Sequence, residues 1–533
     1  MFYNYNKVNG FEYNECTGRG MCSIAPNISS FQEVMLTILR SITYYILKLE
    51  TLDYDCSEVK QSIIKGISNL ITTTVYSDEQ LLNLIICNYN DLIRVKREYS
   101  ELCKSKNLSG KDIKLALKLK PNMGLSDVLS LGQRSIALKN KNMDSTQKCY
   151  AELLFVAIKS VSLSIVKLLD YNIVNDKAIE KVLNALNIFN YHHLPLNKAK
   201  ILVSELAKTD LELWKQRKDA QTETYGNISK TEVSFSTAPG KAILVSGSSL
   251  NDLYNLLENT NESQIDIYTH GDLLIAHVFD KFKQFKHLKG HFGTVNDNCI
   301  LDFATFPGPI LLTQHSTQNI EYLIRGRIFT TDEIAPKGVT TISNNDYTEI
   351  IKAAEEAKGF SKGRKKDAVA VGFDPKELAD KLNSIVDKVN NNEIKHLFLF
   401  GMSNFSSEQN DYFGNFLKNL PKDCFVISFS YHCECDNLLY LNIANNFPMQ
   451  LTVLDLLFDK LEITSDKLSF FLTKCDSNTL SIMISLKEQG AQNIYLANCP
   501  PTVINPTVMN SFMKLYSINS MTSAKEDIKS ILK

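Results

Sequence analysis

Three things are scarce in this chain, and each scarcity excludes a class of function. Charge of one sign is the first: 58 Lys and Arg stand against 59 Asp and Glu in 533 residues, for a formal net charge of −1 and a pI near 6.8. That balance offers no cationic surface for the phosphates of nucleic acid, so no nucleic-acid partner is expected. Long hydrophobic runs are the second. A membrane-crossing helix needs about 18 or more apolar residues in a row, and the best stretch, LLFVAIKSVSLSIVKLL at 153–169, is interrupted by Lys159 and Lys167. The opening MFYNYNKVNGFEYNECTGRG has no basic segment leading into an apolar one, so the chain is read as cytoplasmic and without a membrane partner. The third is an ordered cysteine framework. Twelve cysteines are scattered along the chain, which in a reducing compartment points to buried thiols, metal ligands or redox sites rather than disulfides.

What is present is ordinary globular composition, 44% hydrophobic and 22% charged, in a chain too long for one core. Two segments resemble each other, FQEVMLTILRSITYYILKL at 31–49 and YAELLFVAIKSVSLSIVKL at 150–168. Superposed, they pair Glu33 with Glu152, Arg40 with Lys159, Ser41 with Ser160, Ile46 with Ile165 and Leu49 with Leu168. Their apolar residues trace one helical face each, so a duplicated helical unit is expected in an all-helical domain over residues 1–225. Around KDAQTETYGNISKTEVSFSTAPGK (218–241) the helical period stops. Short apolar runs then alternate with helical stretches: KAILVSG, IDIYTHG, PILLTQ, DAVAVGF, HLFLFGM, CFVISFS, LSFFLTK and NIYLAN. This grammar predicts parallel α/β sheets, two of them, divided near residue 380 after the basic stretch AEEAKGFSKGRKKDA. Lys362, Arg364, Lys365 and Lys366 of that stretch are read first as a solvated loop and second as a contact for phosphate or an acidic partner.

Chemistry in such sheets belongs just past the strand ends, which here means Ser248, Asp272, His315 with Ser316, Ser403, Tyr431, and Cys475 with Asp476. No phosphate loop, dinucleotide fingerprint or G-x-S-x-G elbow occurs. A Ser316, His270, Asp272 triad can be written down, but a chain of this size supplies such triples without function. Cys16 and Cys22 lie six apart in CTGRGMC, and Cys433 and Cys435 flank one residue in CEC; two thiols alone do not hold a cubane.

Nine blocks in order carry a resemblance: TETYGNISKTEV, KAILVSGSSLNDL, IDIYTHGDLLIAHVFDKFKQFKHLKGHFG, FPGPILLTQ, GRIFTT, IKHLFLFG, LPKDCFVIS, GAQNIYLANCPPTVINPTV and MTSAKEDIKSIL. On these the chain resembles the hybrid-cluster proteins, also called prismane proteins or hydroxylamine reductases, relatives of the nickel carbon monoxide dehydrogenases. The resemblance implies an α + α/β fold: an N-terminal helical bundle domain with duplicated units at 1–225, then two Rossmann-like parallel-sheet domains at 226–380 and 381–533. It also implies a hybrid iron–sulfur–oxygen cluster held by one His, two Glu and four Cys between those domains. Carried over position by position, the His falls on Ser248, the two Glu on Asp272 and Asp476, and the four Cys on Ser316, Ser403, Tyr431 and Asn446. The N-terminal cluster positions fall on Tyr3, Asn6, Cys16 and Cys22, of which two remain cysteine. Iron–sulfur clusters are held by thiolates, and a Ser or Tyr hydroxyl would have to lose its proton far above the Cys value of about 8.5.

The expected function is therefore that of a hydroxylamine-reductase family member that has lost its cluster, carries no cofactor, and acts as a non-catalytic binding or regulatory paralogue. Its partner would be itself or a cluster-bearing relative. The alternative is an oxidoreductase reducing hydroxylamine or another small nitrogen oxide through an iron–sulfur cluster, or through a single Fe or Zn ion rewired onto Asp272, His315, Cys433, Cys435, Cys475 and Asp476. A third reading places a small organic ligand in the former cluster cavity. In the segment IDIYTHGDLLIAH, His270 and His277 are read as scaffold and Asp272 as the residue left from an ancestral site.

Overall fold

The computed structural model describes residues 26–71, 78–112, 120, 123–191, 194–293, 299–314, 322–332, 335, 337–401, 407–430, 435–443, 446–473, 477–497 and 506–533. Helices come first: α1 (Pro26–Glu50), α2 (Ser57–Asn69), α3 (Asp78–Ser105), α4 (Leu125–Asn142), α5 (Ser145–Leu169), α6 (Asp176–Asn187) and α7 (Leu196–Tyr225). The two look-alike segments are α1 and α5, and both are buried on nearly every face rather than along one stripe. Each is the axis of its own group: α3 and α4 pack on α1, while α2, α6 and α7 pack on α5. The start of α5 is fixed by Asp144 and Gln147, each side chain accepting from the other's backbone N–H, a capping box.

Full burial of a central helix puts its polar residues under strain to find partners. Asp210 of α7, with no exposed surface, accepts from the hydroxyls of Ser160 and Ser164 on α5. Trp214, the one tryptophan of the chain, donates from Nε1 to Ser164 Oγ at 2.9 Å. The paired positions of the duplication have diverged here. Arg40 donates to the Phe189 carbonyl, whereas Lys159 makes no hydrogen bond, lies 4.6 Å from the Phe155 ring centre, and is pushed down to about 8 by burial.

After Tyr225 the elements alternate: β1 (Thr231–Val233), β2 (Lys241–Ser246), α8 (Leu250–Thr260), β3 (Ile265–His270), β4 (Leu288–His291), α9 (Cys299–Thr305), β5 (Ile310–Leu312), β6 (Ile328–Thr330), β7 (Thr340–Thr341), α10 (Thr348–Glu356) and β8 (Val369–Val371). A second series follows: α11 (Pro375–Asn390), β9 (His396–Phe400), α12 (Ser407–Asn419), β10 (Cys424–Ser428), β11 (Leu438–Tyr440), α13 (Phe447–Phe458), β12 (Leu468–Leu472), α14 (Ser477–Glu488), β13 (Asn493–Leu496), α15 (Pro506–Tyr516), β14 (Asn519–Ser520) and α16 (Ala524–Ile531).

Two six-stranded sheets result, ordered β4-β3-β2-β5-β6-β7 and β11-β10-β9-β12-β13-β14, with every pairing parallel. Counted within each series, both orders read 3-2-1-4-5-6, the doubly wound arrangement. The α + α/β class expected from the sequence is what the chain adopts. The central strands β9 and β12 are buried throughout, as strands covered on both faces must be. In the second sheet Phe400 stacks on Phe471 at 4.1 Å and Phe471 on Tyr495 at 4.8 Å, filling one face with rings.

One strand run sits elsewhere than in the parallel sheets. The DAVAVGF run forms β8, which pairs antiparallel with β1 in a ribbon of its own. The basic stretch before it is also more ordered than a solvated loop: Arg364 exchanges backbone hydrogen bonds with Thr237, and Phe360 with Gly240. Its basic side chains remain exposed while its backbone is paired.

The second sheet's helices and the helical region meet through α7, which packs against α13 and α14, and through α5, which packs against α14 and α15. Trp214 packs on Phe447 with ring centres 4.1 Å apart, Lys218 reaches Asp455 at 3.2 Å, and the Ser485 hydroxyl donates to the Ala207 carbonyl. No described helix is long and apolar enough to cross a membrane.

Candidate functional site

In sheets of this order the ligand crevice lies outside the carboxyl ends, where the strand order reverses. Here that is between β2 and β5 in the first sheet and between β9 and β12 in the second. Ser248 follows β2 and is half-buried. Its N–H donates to Thr313 Oγ1 at 3.0 Å, and the Ser249 N–H to the same oxygen at 3.2 Å, so the turn after β2 is tied across the reversal to the end of β5. Ser249 caps α8 by accepting from the Asp252 N–H.

Asp252 completes the tie. Its buried carboxylate accepts from the Gln314 N–H at 3.0 Å and the Thr331 hydroxyl at 2.7 Å, linking the turns after β2, β5 and β6. Burial pushes this carboxyl up, and the donors from Gln314, Thr331 and Ser249 oppose that shift. The described turns at this reversal are thus tied to one another by the protein's own polar groups.

Beside it, β3 ends in a second network. His270 Nδ1 lies 2.8 Å from Ser246 Oγ and Nε2 lies 3.4 Å from Asp302 Oδ2. In a neutral ring with its proton on Nε2 toward the carboxylate, Nδ1 is the acceptor for the Ser246 hydroxyl. This Ser–His–Asp chain is buried, with Ser246 only 6% exposed, and it clamps β2 to β3 and α9 rather than presenting a hydroxyl to solvent. Gly293 makes room for it: a Cβ there would lie 2.6 Å from His270 Cδ2 and 2.7 Å from Asp302 Oδ2. One position earlier on β3, Thr269 Oγ1 sits 2.9 Å from both His277 Nε2 and His291 Nδ1.

Asp272 opens the short 3-10 turn Gly271–Val278 and is half-buried; Gly271, at φ +62°, supplies the left-handed backbone that turns the chain after His270. Asn446 caps α13, its side-chain oxygen accepting from the Met449 N–H at 3.0 Å. Cys435 is exposed ahead of β11. Ser316, Ser403, Tyr431, Asp476, His315, Cys433, Cys475, Tyr3, Asn6, Cys16 and Cys22 lie outside the described residues. Of the Ser316, His270, Asp272 triple, His270 instead joins Ser246 and Asp302. Among the described residues no group of three or more His, Cys, Asp or Glu side chains has the arrangement of a metal site.

Asp252, Asp302 and Thr313 do not stand out in the sequence as site residues. Asp252 carries a signal, the S-x-x-D spacing of a helix start in SSLND. Asp302, inside α9, and Thr313, inside an apolar run, carry none.

Buried neutral histidines give this fold an acid limit. Burial pushes His277 and, in the second sheet, His396 down to about 4 from an ordinary value of 6.5, with Ser469 Oγ 2.8 Å from His396 Nε2. A depressed histidine favours the neutral folded form above 6.5, and that stability is lost as pH falls from 6.5 through about 4. Each such group then costs roughly 3 kcal/mol. His396→Gln is expected to shrink the loss of urea stability between pH 7 and pH 4 by about 2 kcal/mol relative to the parent; an unchanged loss would mean that His396 is not the titrating group.

Comparison with known proteins adds lineage to this geometry. The family described as Prismane/CO dehydrogenase matches residues 12–438. A hydroxylamine reductase of Methanocella arvoryzae is 25% identical over 533 aligned positions, covering 97% of each chain. One from Maridesulfovibrio salexigens is 24% identical with the same coverage. One from Thermodesulfovibrio yellowstonii is 30% identical over 59% of this chain and 61% of its own. Among solved structures, a chain from a structure of acetyl-CoA synthase/carbon monoxide dehydrogenase is 11% identical with a TM-score of 0.48, covering 94% of this chain and 81% of its own.

Proposed function

Because the chain belongs to the prismane/CO dehydrogenase family, we propose that it is a member without the hybrid cluster, working as a binding or regulatory protein. The observation that carries this reading is the chemistry of the donor set. At the four positions where the resemblance places cysteine ligands stand Ser316, Ser403, Tyr431 and Asn446, and the His position holds Ser248. Hydroxyls and an amide do not replace thiolates around iron and sulfide at neutral pH. Asn446 adds a structural point, since its oxygen is engaged in capping α13. The residues present do not fit the cluster.

The whole-length similarity to proteins named hydroxylamine reductase favours the second reading, a reductase using a metal held by other residues. Asp272, His315, Cys433, Cys435, Cys475 and Asp476 are its ligands to test. Iron, zinc and acid-labile sulfide, measured on protein purified without oxygen, separate the two. Iron and sulfide below about 0.2 per chain, with no thiolate-to-iron absorption, are expected. Several irons per chain together with hydroxylamine reduction would overturn the first reading.

A further inference from the structure

Four cations fall within five residues, Lys362, Arg364, Lys365 and Lys366, in a protein whose net charge is −1. None of the four forms an ion pair or a side-chain hydrogen bond with a described residue. Nor does their backbone wander. Thr237 and Arg364 exchange backbone hydrogen bonds of 2.9 and 3.1 Å, and Thr237 Oγ1 accepts a further bond from the Arg364 N–H. Ser236 Oγ donates to the Lys366 carbonyl at 2.9 Å and accepts from the Lys366 N–H at 3.0 Å. The charges are therefore mounted on a fixed hairpin-like frame, held together against their mutual repulsion.

That frame walls an open pocket of about 1010 Å³. Phe235, Arg364, Lys365 and Lys366 are among its lining residues, and Asp367 is the one acidic residue there. Phe235 is half-buried and packs at 5.1 Å against the ring of His291, at the end of β4, so the aromatic wall is anchored from behind. A concave site with one anchored ring and three unpaired cations matches a planar base joined to phosphates: the ring stacks on the base, and Arg and Lys neutralise the phosphates.

We infer that the pocket lined by the paired 235–237 and 363–367 segments binds a nucleoside diphosphate, with Phe235 against the base and Arg364, Lys365 and Lys366 around the phosphates. This goes beyond the proposed function, since the pocket contains none of the family's cluster positions and stands whether or not iron is bound.

Calorimetric titration of the full chain with ADP and with inorganic pyrophosphate tests it. ADP is expected to bind more tightly than pyrophosphate, and both to weaken as salt rises. Replacing Arg364, Lys365 and Lys366 together by Ala is expected to weaken both ligands at least tenfold. Phe235→Ala is expected to weaken ADP several-fold and to leave pyrophosphate within twofold. Urea unfolding of each variant checks that the fold is kept, and the triple variant, altered only at exposed side chains, remains informative if Phe235→Ala unfolds. No heat or competition signal from either ligand at 1 mM overturns the inference. So does ADP binding that the triple variant leaves unchanged. Retention on heparin without ADP binding would likewise overturn it, assigning the patch to a macromolecular polyanion.

Discussion

Asp210→Asn is expected to make the protein more stable at pH 8 and to leave it nearly unchanged at pH 4.5. Asp210 is fully buried, and burial pushes its carboxyl up to about 6 against the pull of Ser160, Ser164, Ser481 and Lys167. An acid raised in the folded state contributes its stability below 3.8, the unfolded value, and loses it as pH rises through about 6. Above that the ionised carboxylate costs about 3 kcal/mol relative to the protonated form. Asparagine keeps the shape and an acceptor oxygen without the charge, so a gain of about 2 kcal/mol at pH 8 is the expected result in urea titrations followed by Trp214 fluorescence. The hydroxyl hydrogen bonds compete with this term. If the Asn variant is less stable at pH 8, the hydrogen bonds to the charged form outweigh the burial, and Asp210 stabilises the fold as a carboxylate.

The second large effect comes from a glycine. Gly132 of α4 faces α1, and a Cβ there would lie 2.2 Å from the Ser30 carbonyl oxygen. A helix gains roughly 1 kcal/mol when Ala replaces Gly, but here the obstacle is backbone, which cannot rotate aside. Separating α1 from α4 by more than an ångström opens the packing around buried Phe31 and Val34, a loss of about 3 kcal/mol or more. Gly132→Val is therefore expected to fold poorly or with a midpoint lowered by many degrees. Gly414 in α12 is the control, since a Cβ there meets nothing within 4 Å. Gly414→Ala should raise stability by about 0.5–1 kcal/mol. Equal responses at the two sites would refute the close approach of α1 and α4.

How much of the fold is written in the sequence differs from element to element. The runs that form β2, β3, β5, β9, β10, β12 and β13 are readable because strands covered on both faces must be continuously apolar. Five further strands, β4, β6, β7, β11 and β14, have two to four residues each, and their sequences, such as LKGH and NS, hold no pattern of their own. They are strands because a neighbour offers them a ladder, which is tertiary information. The DAVAVGF run shows the converse, an apolar alternation that pairs with the chain's own β1 rather than a sheet. The duplication of α1 and α5 is readable from pairwise identities, yet its divergence is not. Nothing about Arg40 and Lys159 as residue types says that one reaches a carbonyl and the other is left beside a phenyl ring. At the candidate site, the strand-end rule locates Ser248 and Asp272. It misses Asp302, because that residue's contact with His270 depends on how α9 sits over β3.

The docking of α7 on the second sheet has a consequence for the order in which the chain can be assembled. Ser485 and Ala207 are 278 residues apart, and Lys218 and Asp455 are 237 apart. The face of α7 that carries Ala207, Trp214 and Lys218 receives its cover only after α13 and α14 exist. During synthesis at roughly 5–20 residues per second, that face waits tens of seconds while the whole first sheet is made. The helical region cannot finish as a unit ahead of the rest; contacts of such long sequence separation close late and slowly. The packing of Phe447 on Trp214 is one of these long-range contacts, and the chain's one tryptophan is placed to report it.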